Sequence, residues 1–193
     1  MEKCAGAVAA WLIRYQAIKE SDRELYTYAV YNILLSALPL LMAIMFGGVM
    51  GCIRQCVVLI IPFMGIRKFS GGYHMNHSWS CLLCSCISLI VCAEAAVRVS
   101  CTWKLMVLTV IAGCSLMLFS PVDSENRRLE QQEKRFYKRV VWGLTITFIS
   151  IMLILKYFGA ERYAVCISVG ILLTAVLQLP CLLKRLKNNQ KRQ

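Results

Sequence analysis

Two histidines and two cysteines stand close together in Arg67-Lys68-Phe69-Ser70-Gly71-Gly72-Tyr73-His74-Met75-Asn76-His77-Ser78-Trp79-Ser80-Cys81-Leu82-Leu83-Cys84, and these histidines are the only two in the chain. Each histidine is followed by a cysteine seven residues later: His74 by Cys81 and His77 by Cys84. An imidazole beside a thiol can take its proton, and the resulting thiolate attacks a carbonyl carbon. On a continuous helix, seven residues bring the two groups to one face but separate them by about 10 Å along the axis. Proton transfer requires approach to about 3 Å, so the segment has to bend between imidazole and thiol. Gly71-Gly72 supplies backbone freedom just before His74. Ser78 and Ser80 favour a helix start near Trp79, which would place Cys81 in a first turn, where a helix N-terminus favours the thiolate. Spacing alone does not choose between the two pairs.

Metal binding is the competing chemistry, because H-x2-H-x3-C-x2-C contains ligand types that suit zinc. On one continuous helix its outer members would be about 15 Å apart, too far for a single tetrahedral ion, although a broken segment would bring them within reach. The plainest reading has both histidines as interfacial polar residues and the cysteines as packing. Polar groups gathered at the mouth of a membrane segment favour function over that reading.

The elements that must position these groups are apolar. The chain has 193 residues, 59% of them hydrophobic, and a mean hydropathy of +0.61. Charged residues are absent from 25–53, 69–93, 105–122, 140–155 and 163–183. Most of these runs approach or exceed the roughly 17–20 residues that cross a hydrocarbon core as a helix. The expected fold is therefore an all-α integral membrane protein, one polytopic domain over 1–193. Six transmembrane helices are predicted near 27–46, 49–66, 79–97, 103–120, 140–157 and 163–183, followed by a basic tail over 184–193. Gly47-Gly48 and Gly51 would permit a tight reversal between the first two.

An amphipathic helix over 3–20 is expected to lie in the membrane interface, since Val8, Trp11, Leu12, Tyr15 and Ile18 form one stripe. A signal peptide is disfavoured there, because Arg14, Lys19 and Glu20 follow at once with no small-x-small cleavage site. A short polar helix over Glu125–Arg139, capped by Asp123 or Ser124, is predicted between spans four and five.

A net charge of +12 raises the possibility of nucleic acid. Of the 22 Lys and Arg residues, however, 17 fall in the amino-terminal segment, the second and fourth connections and the tail, with five in the alternate segments. This asymmetry follows the positive-inside rule with both termini in the cytoplasm, and contact with anionic lipid accounts for it without nucleic acid. Most of the eleven cysteines lie within apolar runs, where free thiols act as small hydrophobes.

Arg67, Gly71-Gly72, Tyr73, His74 and Cys81 resemble the R-x3-GG-x-H-x6-C signature of the AgrB family, the membrane cysteine endopeptidases of accessory gene regulator quorum sensing. A second stretch, Ser120-Pro121-Val122-Asp123-Ser124-Glu125-Asn126-Arg127, is similar to that family's A-P-x-D-T-x-N-K segment. It departs at Ser120 and Arg127, and Arg128 stands where proline is usual; none of these changes removes a reacting group. The resemblance implies Cys81 as nucleophile and His74 as base, with Arg67, Gly71 and Gly72 in support. Asp123 is a candidate to orient His74, although a helix cap is its simpler role.

The implied reaction removes the acidic carboxy-terminal tail of a small AgrD-like precursor peptide in a bacterial cell membrane, opening a route to a cyclic signal. No cofactor or metal is implied. Arg127, Arg128, Lys134 and Arg135 would meet the tail on the cytoplasmic side. Membrane lipids are the other expected partners, and a homo-oligomer is compatible with the pattern. The alternative from a different class is a small transporter or a thiol- or zinc-responsive sensor. It predicts that Cys81 is dispensable, or that all four His and Cys residues matter equally.

Overall fold

The structure, a computed structural model, describes residues 2–70, 78–121 and 131–190. Among them the architecture is all-α, without strands: α1 (Glu2–Arg14), α2 (Arg23–Val49), α3 (Ile53–Ser70), α4 (Ser78–Arg98), α5 (Trp103–Phe119), α6 (Gln131–Tyr157) and α7 (Glu161–Gln190). A single 3-10 turn at Glu20–Asp22 leads into α2.

The helices stop where the backbone chemistry tells them to. At Gly51 (φ +67°) the chain enters the left-handed region, and Gly51 N–H and Cys52 N–H donate back to the carbonyls of Gly48 and Gly47. That pair of reversed bonds satisfies carbonyls the helix leaves open and forces the α2–α3 hairpin. Gly159 (φ +76°) ends α6 in the same way. At the other connection Thr102 caps α5, its side chain accepting from Leu105 N–H.

Cross-helix contacts order the bundle. At one end Phe69 of α3 meets Tyr137 of α6 edge-on, with centroids 5.7 Å apart. Trp142 Nε1 of α6 donates to the Met117 carbonyl of α5 at 2.8 Å, and Gln178 of α7 reaches Ser120 at 3.0 Å. At the opposite end Lys156 Nζ donates to the Cys101 carbonyl at 3.2 Å and pairs with Glu161. Thus α3, α5 and α7 run towards the first end, and α4 and α6 run away from it. The α2–α3 hairpin makes α2 run away from it as well. Burial pushes the Cys101 thiol up from its ordinary range, against the opposing pull of Lys156.

The core centres on α7, whose residues 164–171 are all buried. Leu59 and Phe63 of α3 pack with Val165, Cys166, Val169 and Leu173. Ile66 packs on the other side with Leu116, Val141, Met152, Ala164 and Ile171. Among the described residues, Gln131–Tyr157 and Glu161–Pro180 are long and apolar enough to cross a bilayer, while Ala37–Val49 and Trp103–Phe119 are shorter apolar stretches.

Two expectations need correction. The amino-terminal helix predicted over 3–20 ends at Arg14. Gln16 adopts φ +55°, and Gln16 and Ala17 N–H close onto the carbonyls of Ile13 and Leu12, the same reversed motif without glycine. Ile18 therefore leaves the stripe, whereas Val8, Trp11 and Tyr15 stay exposed on it and Ala5 and Ala9 are buried. The polar helix expected between the fourth and fifth spans is helical from Gln131 onward but is not an element of its own: the polar stretch and the apolar one form the single helix α6. No proline or glycine lies between Gln131 and Trp142 to break it. Its predicted start at Glu125, with both proposed caps, lies outside the described residues.

The hairpin also depends on a close approach. A Cβ built on Gly47 would stand 2.6 Å from Cys56 Sγ and 3.1 Å from its Cβ. Gly47→Ala is therefore expected to cost about 1–3 kcal/mol through overpacking. Adding Cys56→Ala should recover part of it, as thermal unfolding in detergent would show.

Candidate functional site

The first end of the bundle holds the described residues among the positions singled out in the sequence: Arg67, the backbone of Cys81, Lys134 and Arg135. Arg67 sits in the last turn of α3, its guanidinium 5.7 Å from the centroid of the Phe63 ring, one turn earlier on the same face. Cation–π contact holds such a group in a fixed direction at little entropic cost. Lys68 Nζ lies 5.7 Å from the Phe69 ring, and Ser70, the last residue of α3, is fully buried. Phe69 in turn braces Tyr137, so the end of α3 and the polar portion of α6 are mutually fixed.

Helix α4 begins at Ser78, and Cys81 is its fourth residue. The N–H groups of a first turn have no partner within the helix and carry partial positive charge. Cys84 follows one turn later and is exposed. Seven residues, 71–77, join α3 to α4. Gly71, Gly72, His74 and His77 are among them and lie outside the described residues. The fold thus brings Arg67 and the backbone of Cys81 to the same end, on consecutive helices.

Asp123, Arg127 and Arg128 also lie outside the described residues. Lys134 and Arg135 fall in the first two turns of α6, Lys134 half-buried and Arg135 exposed. Lys138 continues this basic stretch with its ammonium 5.8 Å from the Trp142 ring, while Trp142 itself bonds back to α5.

One contact at this end was not anticipated. Gln178 Nε2 donates to Ser120 Oγ at 3.0 Å; Gln178 is 1% exposed and Ser120 4%. The signal was present, since Gln178 is the only amide side chain in the uncharged run 163–183. Polar side chains in such runs seek partners across helices. Its partner, 58 residues earlier, was beyond the reach of local pattern.

The family profile of accessory gene regulator B matches residues 5–179. AgrB-like protein 2 of Clostridium perfringens strain 13 is 24% identical over 150 residues, covering 72% of this chain and 70% of that protein. An AgrB-like protein of Clostridium perfringens strain SM101 is 25% identical over 149 residues, covering 71% and 69%. No solved structure matches.

Proposed function

The chain belongs to the accessory gene regulator B family, and from that premise we propose that it is a cysteine endopeptidase that trims an AgrD-like precursor peptide. Family membership carries peptide processing in accessory gene regulator quorum sensing, and the two apolar helices point to a membrane protein. The observation that best supports the finer reading is the position of Cys81 in the first turn of α4. His74 and Arg67 precede it, on the connection and at the end of α3.

In this mechanism His74 accepts the Cys81 thiol proton, and the first turn of α4 favours the thiolate. The sulfur attacks the scissile carbonyl carbon, and the electron pair moves onto the oxygen. When the carbonyl re-forms, the C–N bond breaks, and the imidazolium returns its proton to the departing amine of the tail. A thioester remains between Cys81 and the amino-terminal part of the peptide. A nucleophile within the peptide then displaces the sulfur and closes a ring; excluding water at the bilayer boundary favours closure over hydrolysis. Helices α2 to α7 are the proposed six spans of a single polytopic domain. The end bearing Arg67 and Cys81 faces the cytoplasm, as do both termini. Basic residues on α6 and the connection before it, Arg127, Arg128, Lys134 and Arg135, receive the acidic tail.

Co-expression with the precursor tests the reaction. The released tail should appear by mass spectrometry. A precursor whose internal nucleophile is replaced by alanine should accumulate as a protein-bound thioester that hydroxylamine releases. An intact precursor, or an adduct that survives hydroxylamine, would overturn the proposal.

A further inference from the structure

We infer that Gln178 is a positioning residue for precursor binding, acting through its buried hydrogen bond to Ser120. This inference rests on the peptidase reading and adds a residue to it on a helix that carries none of the proposed chemistry.

The argument begins with the cost of burying an amide. Gln178 and Ser120 are both almost wholly withdrawn from solvent, and Gln178 Nε2 donates to Ser120 Oγ at 3.0 Å. The other buried hydroxyls of α7 have a carbonyl partner in their own helix, Ser168 Oγ donating to Ala164 and Thr174 Oγ1 to Gly170; Ser168 Oγ also lies 3.0 Å from Met152 Sδ of α6, nearer the opposite end of the bundle. Gln178 crosses to another element, and it does so at the functional end of the bundle. A directional bond in an apolar setting specifies a relative placement that hydrophobic packing alone leaves loose.

What it places is the exit of α5. Ser120 is the residue that ends α5, its own N–H donating to the Leu116 carbonyl while its backbone turns extended. Three residues earlier, the Met117 carbonyl accepts from Trp142 Nε1 of α6 at 2.8 Å. The ring of that same Trp142 lies 5.8 Å from Lys138 Nζ. A continuous path therefore runs from α7 through Gln178 and Ser120 to the end of α5, and on through Met117 and Trp142 to the basic stretch of α6. Together with the Phe69–Tyr137 contact, Gln178 sets where Lys134, Arg135 and Lys138 stand relative to the rest of the bundle. The ligand chemistry this placement serves is an acidic peptide segment, bound by charge to a row of cations.

The test separates placement from packing. The full chain in nanodiscs of neutral lipid is titrated with a labelled amphipathic peptide ending in a run of Glu and Asp, and with its Gln and Asn counterpart. The variants are Gln178→Leu, Ser120→Ala, Ser120→Thr and the double Ser120→Ala/Gln178→Leu. Each of Gln178→Leu and Ser120→Ala should weaken acidic-peptide binding about tenfold, the scale of one good interhelical hydrogen bond. The double variant should be no weaker than either single, Ser120→Thr should stay close to the parent, and the neutral peptide should be indifferent to all four. In the double variant neither polar atom is orphaned, so its melting temperature should return towards that of the parent while binding stays weak. Binding that recovers with the melting temperature, equal losses for both peptides, or undiminished acidic-peptide binding in the single variants would overturn the inference. Failure of the parent to release a tail would overturn the peptidase reading instead, because the titration needs no cleavage.

Discussion

Replacing Cys81 with serine is expected to abolish tail release, lowering the rate by about 10⁴-fold or more. A serine hydroxyl is a far weaker acid than a thiol, so an imidazole of ordinary basicity leaves it protonated and weakly nucleophilic. His74→Ala should cost about 10²- to 10⁴-fold, the usual contribution of a positioned base. Cys84→Ser should remain within about twofold of the parent, since an exposed thiol one turn further along α4 makes no demand on the reaction. The measurement is the fraction of precursor converted during co-expression, with each variant's level in the membrane fraction checked beside it. A sensor or metal site would lose function at all four His and Cys positions alike. A Cys81→Ser protein that still releases the tail would defeat the nucleophile assignment.

Substituting Gly170 should have the largest effect on stability. A Cβ there would stand 2.6 Å from the Leu59 carbonyl oxygen and 2.8 Å from Pro62 Cγ. Both belong to α3, and the nearer is backbone, which cannot swing aside as a long side chain would. Helices α3 and α7 would have to separate in the middle of the buried stretch 164–171. Gly170→Ala is expected to cost about 3 kcal/mol, the upper range for overpacking, which lowers the melting temperature of a chain this size by about 10 °C. Gly170→Leu should yield no folded protein. Gly143→Ala is the control: nothing lies within 4 Å of its Cβ position, so alanine's better helix propensity makes it neutral or slightly stabilising. Thermal unfolding in one detergent compares the parent, Gly170→Ala and Gly143→Ala, and the yield of folded protein reads out Gly170→Leu.

Much of the helical frame was legible because lack of charge is a long-range signal. The run expected over 79–97 became Ser78–Arg98, and the one over 103–120 became Trp103–Phe119. The serine signal near Trp79 located the start of α4 to within a residue. What escaped had identifiable physical causes. Gln16 ends α1 in a conformation that glycine or asparagine would have announced. Of the three glycines expected to reverse the chain, Gly51 makes the turn, while Gly47 and Gly48 lie within α2; α3 accordingly starts at Ile53 rather than near 49.

The candidate site divides in the same manner. Arg67 and Cys81 stand out in the sequence as types at a spacing, and helix ends explain why they share one end of the bundle. His74 lies on the seven-residue connection between α3 and α4, outside the described residues, and spacing alone gives no direction for its side chain. Gln178 showed in the sequence as an isolated amide, yet only the packing of α7 against α5 names its partner.

The unbroken course of α6 has a mechanical corollary. Twenty-seven residues of α-helix make a rod of about 40 Å, with cations near one tip and the Lys156–Glu161 pair at the other. Cargo seated on the cationic tip and any tilt at the distal tip are linked as two arms of a seesaw, with the Trp142 tether to α5 nearer the loaded arm. Docking of an acidic segment at the cationic tip would thus be felt about 40 Å away, at the opposite end of the bundle.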